Sequence, residues 1–177
     1  KQDGTACGGN LECTNGNCVE GVCCNSPCSG ACKSCLAVKT GAGEGVCGEI
    51  LAGTDPDGEC PSDPASGCQR DGMCNGAGGC RLHPSGIACG ANQCVQNAST
   101  VRVCNGIGEC VNGAAAACAP YTCEGNACLG SCQADTQCTT GNFCDAGSCR
   151  PKGQNGSACT GTPQCASGFC VEGICCD

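Results

Sequence analysis

The stretch Cys18-Val-Glu-Gly-Val-Cys23-Cys24 returns near the other end of the chain as Cys170-Val-Glu-Gly-Ile-Cys175-Cys176. The match extends upstream, because Gly4-Thr-Ala-Cys7 recurs as Gly156-Ser-Ala-Cys159. All five cysteines of residues 4–24, at positions 7, 13, 18, 23 and 24, recur 152 residues later. A repeat at a fixed period indicates a chain built from structural units that contact mainly their neighbours.

Shorter cysteine repeats lie within this period. The motif Cys74-Asn-Gly-Ala-Gly-Gly-Cys80 is echoed by Cys104-Asn-Gly-Ile-Gly-Glu-Cys110, and two further cysteines follow each at similar spacing. These repeats predict a string of six small modules. Their predicted ranges are 1–24, 24–59 (with the only C-x2-C motif), 60–94, 95–128, 129–150 and 151–177, the last a partial repeat of 1–25.

The composition leaves little material for an ordinary hydrophobic core. The 177 residues include 29 Cys and 31 Gly, but only nine Val, five Leu, four Ile, one Met and three aromatic residues. Burial of so few large side chains cannot offset the conformational entropy that is lost on folding. Disulfides must supply the stability instead, which excludes an ordinary α/β or helical enzyme domain. So many disulfides also indicate an oxidising compartment, and we therefore expect a secreted protein that is extracellular or on the cell surface. The sequence begins at Lys1, so an export signal is inferred rather than observed.

The spacing of the cysteines limits their pairing. Four cysteines allow three connectivities, of which we expect first-to-third and second-to-fourth, because that arrangement ties a small hairpin into a knot. The adjacent Cys23 and Cys24 are expected to serve different modules, with Cys24 pairing among Cys28, Cys32, Cys35 and Cys47. The predicted pairs are Cys7–Cys18, Cys13–Cys23, Cys132–Cys144, Cys138–Cys149, Cys159–Cys170 and Cys165–Cys175.

The odd number of cysteines is explained by the repeat. Cys176 is the twin of Cys24, but the second copy lacks the cysteines that follow Cys24 in the first. We therefore predict that Cys176 is unpaired or forms a link to another subunit.

Turn signals outnumber every other local signal. Asn15-Gly16, Asn75-Gly76, Asn105-Gly106, Asn112-Gly113 and Asp57-Gly58 are predicted turns, and the only helix expected is a single turn around Cys28–Leu36. The predicted fold is therefore small and disulfide-rich, a string of short β-hairpin and loop modules with little helix and an elongated, rod-like architecture.

Several chemical functions are disfavoured by the residues present. A net charge of −8 with no Lys/Arg cluster argues against nucleic-acid partners, and no apolar stretch is long enough for membrane insertion. His83, the only histidine, lies in a polar linker, so we predict no catalytic residue. Cys32-Lys-Ser-Cys35 has no second C-x2-C pair with which to complete a zinc site, so we predict no metal site and no cofactor. Asp55-Pro-Asp57-Gly58-Glu59 lacks the Glu of a calcium loop at the twelfth position and is interpreted as a turn with solvated carboxylates.

Two positions match the N-glycosylation motif. Asn97-Ala-Ser99 and Asn155-Gly-Ser157 are candidate glycosylation sites, and glycans are therefore candidate partners.

The run from Cys18 to Cys35, together with Ala52-Gly-Thr-Asp-Pro-Asp-Gly-Glu-Cys60 and the repeats above, resembles a family of proteins. These are the exported cysteine-rich tandem-repeat surface proteins of myxobacteria and related bacteria. The resemblance covers essentially the whole chain and implies an extracellular protein without an assigned activity. The module spacing is also loosely similar to EGF-like and furin-like repeats, which act mainly as rods and spacers.

The leading functional hypothesis is a structural protein that is not an enzyme. The chain would be a disulfide-stapled repeat unit of an extracellular fibre or surface filament and would self-associate into a linear assembly. The alternative is an adhesin stalk or a ligand-binding or protease-inhibitor-like module, for which a loop such as Val38–Gly45 would serve. A third hypothesis is metal or redox chemistry through free thiols.

Overall fold

The computed structural model describes residues 1–177, whose regular structure is mainly short β-strands. The strands are β1 (Cys18–Val19), β2 (Val22–Cys23), β3 (Lys33–Ser34), β4 (Gly48–Glu49), β5 (Arg70–Cys74), β6 (Cys80–Leu82), β7 (Ala88–Val95), β8 (Ala98–Cys104), β9 (Cys110–Ala117), β10 (Cys123–Glu124), β11 (Ala127–Cys128), β12 (Asn142–Asp145), β13 (Ser148–Pro151), β14 (Phe169–Val171) and β15 (Ile174–Cys176). The one α-helical turn is α1 (Ala37–Thr40), and 3-10 turns lie at Asn10–Glu12, Ala65–Gly67, Asp135–Gln137 and Thr162–Gln164.

The strands form antiparallel sheets of minimal size. Six sheets have two strands each, and the seventh has three strands in the order β7-β8-β9. The two-stranded sheets are β1–β2, β3–β4, β5–β6, β10–β11, β12–β13 and β14–β15. The predicted fold class, small disulfide-rich hairpins with little helix, is confirmed.

The turns of the shortest hairpins have a left-handed backbone. Glu20 and Gly21 join β1 to β2 with φ of 52° and 83°, and Glu172 and Gly173 join β14 to β15 with 51° and 83°. Positive φ at both central residues matches the twist of the two flanking strands. The hairpin repeat is thus reproduced at the level of single dihedral angles.

Two local predictions are wrong. Asn112-Gly113 is not a turn but lies within β9, where Asn112 Oδ1 accepts a hydrogen bond from Arg102 on the neighbouring strand. The helical turn lies at Ala37–Thr40 rather than around Cys28–Leu36. Residues 28–35 instead carry three cysteines to three separate disulfides, and that requirement overrides the local helix preference.

All fourteen disulfides follow one rule. The cysteines form seven sets of four, and in each set the first bonds to the third and the second to the fourth. The sets are 7–18/13–23, 24–35/28–47, 32–74/60–80, 68–104/89–110, 94–123/118–128, 132–144/138–149 and 159–170/165–175. The pairing predicted for three of these sets therefore also describes the other four.

The middle sets overlap along the sequence. Cys32 lies between Cys28 and Cys35, so the third set begins before the second is complete. Disulfides consequently cross the predicted module boundaries. Cys32–Cys74 joins 24–59 to 60–94, and Cys68–Cys104, Cys89–Cys110 and Cys94–Cys123 join 60–94 to 95–128.

The buried interior consists almost entirely of cystine. Seventeen of the eighteen buried hydrophobic residues are cysteines, and the eighteenth is Ile50, which is fully buried. Ile50 packs with Cys32, Cys60 and Cys74 in one of four separate clusters. Each cluster contains cysteines of a crossed set, so the disulfides are both the cross-links and the core.

The chain divides into two compact units. The first contains residues 1–89 and 103–111 and holds the first four crossed sets. The second contains residues 90–102 and 112–177 and holds the other three.

Candidate functional site

Two modules of the chain have the same internal bonding, the first module (residues 1–24) and the last module (residues 151–177). In the first module Cys7 N donates to Gly21 O at 2.8 Å, and the equivalent bond 152 residues later has the same length. The Cα–Cα distances of the two disulfides are 6.0 and 5.4 Å in both modules. The repeat in sequence is therefore a repeat in structure.

Glu20 of the first module is the centre of a contact with the segment that follows it. Its carboxylate accepts hydrogen bonds from Ser34 Oγ, from Cys35 N at 2.9 Å and from Lys39 Nζ at 2.5 Å. Ser34 is fully buried, and the Glu20 side chain keeps 23% of its exposure. Partial burial acts to raise the pKa of Glu20, but the hydrogen bonds outweigh it and hold the pKa below its ordinary value.

Lys39 connects Glu20 to a second carboxylate. Its Nζ also pairs with Asp57, and its side chain is only 18% exposed. Burial acts to lower the pKa of Lys39, but the hydrogen bonds with Asp57 and Glu20 raise it above its ordinary value. The three side chains thus form a charged network in which Glu20 and Asp57 stabilise the ionised form of Lys39, and Lys39 stabilises that of Glu20.

A close backbone approach and a disulfide complete this contact. A Cβ added to Gly45 would lie 2.0 Å from Gly4 N, so only glycine fits there. Asn25 N donates to Gly45 O at 2.9 Å, and the Cys24–Cys35 disulfide joins the two sides covalently. We call this contact, in which residues 25–47 cover one face of the first module, the joint.

The last module has the equivalent face without a cover. Glu172, the counterpart of Glu20, is exposed and forms no hydrogen bond or ion pair through its carboxylate. Cys176, the counterpart of Cys24, is the one cysteine outside a disulfide and is half-buried. Two groups that hold the joint in the first module are therefore present and unused in the last.

The joint predicts a measurable role for the charge on Glu20. In Glu20→Gln we expect the amide of Cys35 to exchange with solvent about tenfold faster, because a hydrogen bond to a charged acceptor is worth about 1.5–3 kcal/mol. A carboxyl whose folded pKa is lowered stabilises the fold above its ordinary pKa and ceases to do so as the pH falls through the lowered value. Amide protection factors measured by NMR should therefore differ most between wild type and variant near neutral pH and converge in acid.

The repeat provides the matched control for this variant. Glu172→Gln changes the same residue in the same hairpin turn but removes no contact, so it should leave the amides of the last module unchanged. Equal effects of the two substitutions would contradict a role for the joint.

The structure brings together the six cysteine pairs predicted from spacing. Each of the twelve cysteines bonds to its predicted partner, in Cys7–Cys18, Cys13–Cys23, Cys132–Cys144, Cys138–Cys149, Cys159–Cys170 and Cys165–Cys175. Cys23 and Cys24 do enter different sets, as their adjacency predicts.

The two candidate glycosylation sites have different surroundings. Asn97 is in the turn between β7 and β8. Its side-chain Oδ1 accepts a hydrogen bond from Cys123 N at 2.7 Å, and its Nδ2 donates one to Tyr121 O at 3.3 Å. Its side chain therefore holds the neighbouring hairpin in place. Asn155 is exposed, and its Nδ2 donates to the carboxylate of Asp177.

The residues weighed for catalysis or redox chemistry have structural partners. His83 Nε2 lies 2.9 Å from the main-chain oxygen of Asp63. The two cysteines of the C-x2-C motif do not bond to each other, because Cys32 bonds to Cys74 and Cys35 bonds to Cys24.

The acidic turn at residues 55–59 also differs from its interpretation. Its carboxylates are not simply solvated, so that prediction is wrong. Asp55 accepts from the amides of Glu59 and Cys60 at 3.1 and 2.9 Å, and Glu59 accepts from Cys32 N at 2.6 Å. These acceptors are used to fix a loop.

Clusters of sulfur atoms occur where two disulfides of a set cross. The Sγ atoms of Cys32, Cys60 and Cys74, for example, lie within 4.8 Å of one another. Cys32–Cys74 and Cys60–Cys80 are both disulfides, and a disulfide sulfur is not the thiolate that zinc binds. These clusters are therefore core packing of the oxidised protein.

Sequence reasoning did not identify Glu20, Lys39 or Gly45 as members of a site. The available signal was the repeat itself, because Val-Glu-Gly precedes the double cysteine in both copies while several neighbouring residues differ.

The fold and the joint define a disulfide-rich repeat protein. No protein-family model, curated protein or solved structure was found to match the chain. The resemblance to exported tandem-repeat proteins therefore stays a prediction. No helix is long and apolar enough to cross a membrane.

Proposed function

We propose that the protein is an extracellular structural protein, a disulfide-stapled repeat unit of a fibre or surface filament. The observation that carries this proposal is the structural identity of the first and last modules, which share hydrogen bonds and disulfides at an offset of 152 residues. Two modules of the same structure, one period apart, are typical of a repeat architecture that further units can extend in the same way.

The pattern of cross-links supports the same function. The longest disulfide, Cys32–Cys74, spans 42 residues of a 177-residue chain, so every cross-link is local in sequence. Stability of this kind does not depend on a large core and can be extended by adding units. Disulfide bonding on this scale is typical of extracellular proteins.

Immunogold microscopy of the producing cells tests this function. Antibodies raised against the oxidised, folded chain should label filaments in the extracellular fraction, at regular intervals that correspond to the repeat. The physical reason is that each unit presents the same epitopes once per period.

Two outcomes would contradict the proposal. The antigen could be found only on monodisperse monomers, or those monomers could inhibit a protease stoichiometrically, which would favour the inhibitor-like alternative. The loop proposed for that role, Val38–Gly45, begins within the helical turn Ala37–Thr40 and ends at Gly45, which is buried in the joint.

A further inference from the structure

The uncovered face of the last module has a template elsewhere in the same chain. Its counterpart on the first module is covered by residues 25–47 through Glu20, Gly4 and Cys24. The last module carries the counterparts of all three, Glu172, Gly156 and Cys176. The φ angles of Glu172 and Gly156 are 51° and 89°, close to the 52° and 82° of Glu20 and Gly4.

The two faces differ in whether something lies against them. A Cβ on Gly4 would meet Glu44 O at 2.8 Å, whereas one on Gly156 would meet nothing within 4 Å. Cys24 is fully buried and Cys176 is half-buried. The last module thus presents the joint surface with its cover removed.

The hairpin that carries this face exposes three apolar side chains. Phe169, Val171 and Ile174 are 57%, 56% and 44% exposed. Their counterparts in the first module, Asn17, Val19 and Val22, are all half-buried. A cover on the last module would therefore remove apolar surface from water.

We propose that this face is a docking site for a segment with the sequence of residues 25–47, supplied by a further repeat of the same sequence, and this inference rests on the proposed function. In the docked state the Glu172 carboxylate accepts hydrogen bonds from the residues equivalent to Ser34, Cys35 and Lys39. Cys176 forms a disulfide with the equivalent of Cys35.

The occupant must be a segment that is not already covered. Residues 25–47 of this chain are engaged by their own first module, and Cys35 is fully buried in its bond to Cys24. Exchange of this segment between two copies of residues 1–177 would uncover one face for each face that it covers. A segment that has no first module of its own can cover this face without uncovering another.

The covalent step is a thiol–disulfide exchange. Cys35 of the incoming segment carries a glutathione mixed disulfide, and the thiolate of Cys176 attacks the Sγ of Cys35. The Cys176–Cys35 bond forms, the bond to glutathione breaks, and glutathione leaves as its thiolate, with no net oxidation.

Capture of a synthetic peptide by the oxidised 177-residue chain tests the proposal. The peptide has the sequence of residues 25–50, with Cys32→Ser because the partner Cys74 lies outside it, a preformed Cys28–Cys47 disulfide and glutathione on Cys35. We expect a 1:1 adduct whose mapped cross-link joins Cys176 to Cys35, and none with Cys176→Ser. A peptide with the same cysteine spacing but scrambled intervening residues should be captured at least about tenfold less at equilibrium, given the usual worth of charge-assisted hydrogen bonds.

Glu172→Gln separates recognition from simple thiol reactivity. It should lower the equilibrium fraction of adduct about tenfold or more, since a neutral acceptor replaces the carboxylate. The control is Glu124→Gln, which also changes an exposed Glu that precedes a Gly in a hairpin of the same unit, and it should have no effect. The proposal would be overturned if wild type and Glu172→Gln captured the peptide equally. It would also be overturned if the wild type captured the scrambled peptide as well as the native one.

The outcome is independent of the microscopy. Labelled filaments without selective peptide capture would support the fibre function and refute this docking site. Selective capture without filaments would support the docking site and refute the fibre function.

Discussion

Reduction of all fourteen disulfides is expected to unfold the chain completely without any denaturant. The interior offers nothing to replace them, because seventeen of its eighteen buried hydrophobic residues are the cysteines themselves. Breaking the bonds converts the core into thiols on a chain whose only fully buried large aliphatic residue is Ile50. The backbone amides should then lose all protection from hydrogen exchange.

The size of the effect follows from loop closure. The disulfides close loops with sequence separations of 10 to 42 residues. In the chain-entropy model each such link destabilises the unfolded state by about 3–4 kcal/mol at room temperature. A typical domain has a total stability of only about 5–15 kcal/mol, so loss of even a few links exceeds it.

Hydrogen exchange and circular dichroism before and after reduction measure this. Alkylation without reduction is the control, since it should modify only Cys176 and leave the amide protection unchanged. Reoxidation in a glutathione buffer should restore the seven crossed sets. Native-like amide protection in the fully reduced chain would show that the core does not depend on cystine.

The terminal hairpins are the part of the fold that the sequence predicts best. Their cysteines are close in sequence and the 152-residue repeat presents the same spacing twice, so only one sensible set of four exists at each end. Cys7–Cys18 and Cys159–Cys170, with separations of 11 residues each, belong to this class. Short range identifies which four cysteines belong together, and the expected hairpin geometry then favours one of their three connectivities.

The middle of the chain could not be paired in the same way. Cys32 lies within the 24–47 set but bonds to Cys74, 42 residues away. Spacing alone cannot choose this partner, because the choice depends on the packing of β3–β4 near β5–β6 around Ile50. Overlapping disulfides such as this one cross the module boundaries that the spacing predicts.

The charged network of the joint could not be predicted from the sequence either. Glu20, Lys39 and Asp57 are 18 to 19 residues apart and match no motif. Their contact arises because the crossed set 24–35/28–47 folds this segment back onto the first module. Proximity created by cross-links, rather than by a periodic pattern, leaves no local signature.

Ile50→Ala is expected to destabilise one region of the first unit by about 2–5 kcal/mol, the usual cost of removing a fully buried Ile side chain. Ile50 is 0% exposed and packs against Cys32, Cys60 and Cys74. Since the two disulfides of this set cannot move together to fill the space, a cavity should remain. The disulfides keep the chain connected, so the loss should appear as local opening.

Native-state hydrogen exchange resolves this opening at two amides beside the cavity. Ile50 N donates to Cys32 O at 2.8 Å, and Gly53 N donates to Cys74 O at 2.9 Å. The free energy of opening at both should fall by the amount given above, while the amides of the last module stay unchanged. The neighbouring Leu51, 49% exposed, provides the control, and Leu51→Ala should change these values by no more than about 0.5 kcal/mol. If the two substitutions had equal effects, Ile50 would be no more important than a surface residue, and cystine packing alone would hold this part of the fold.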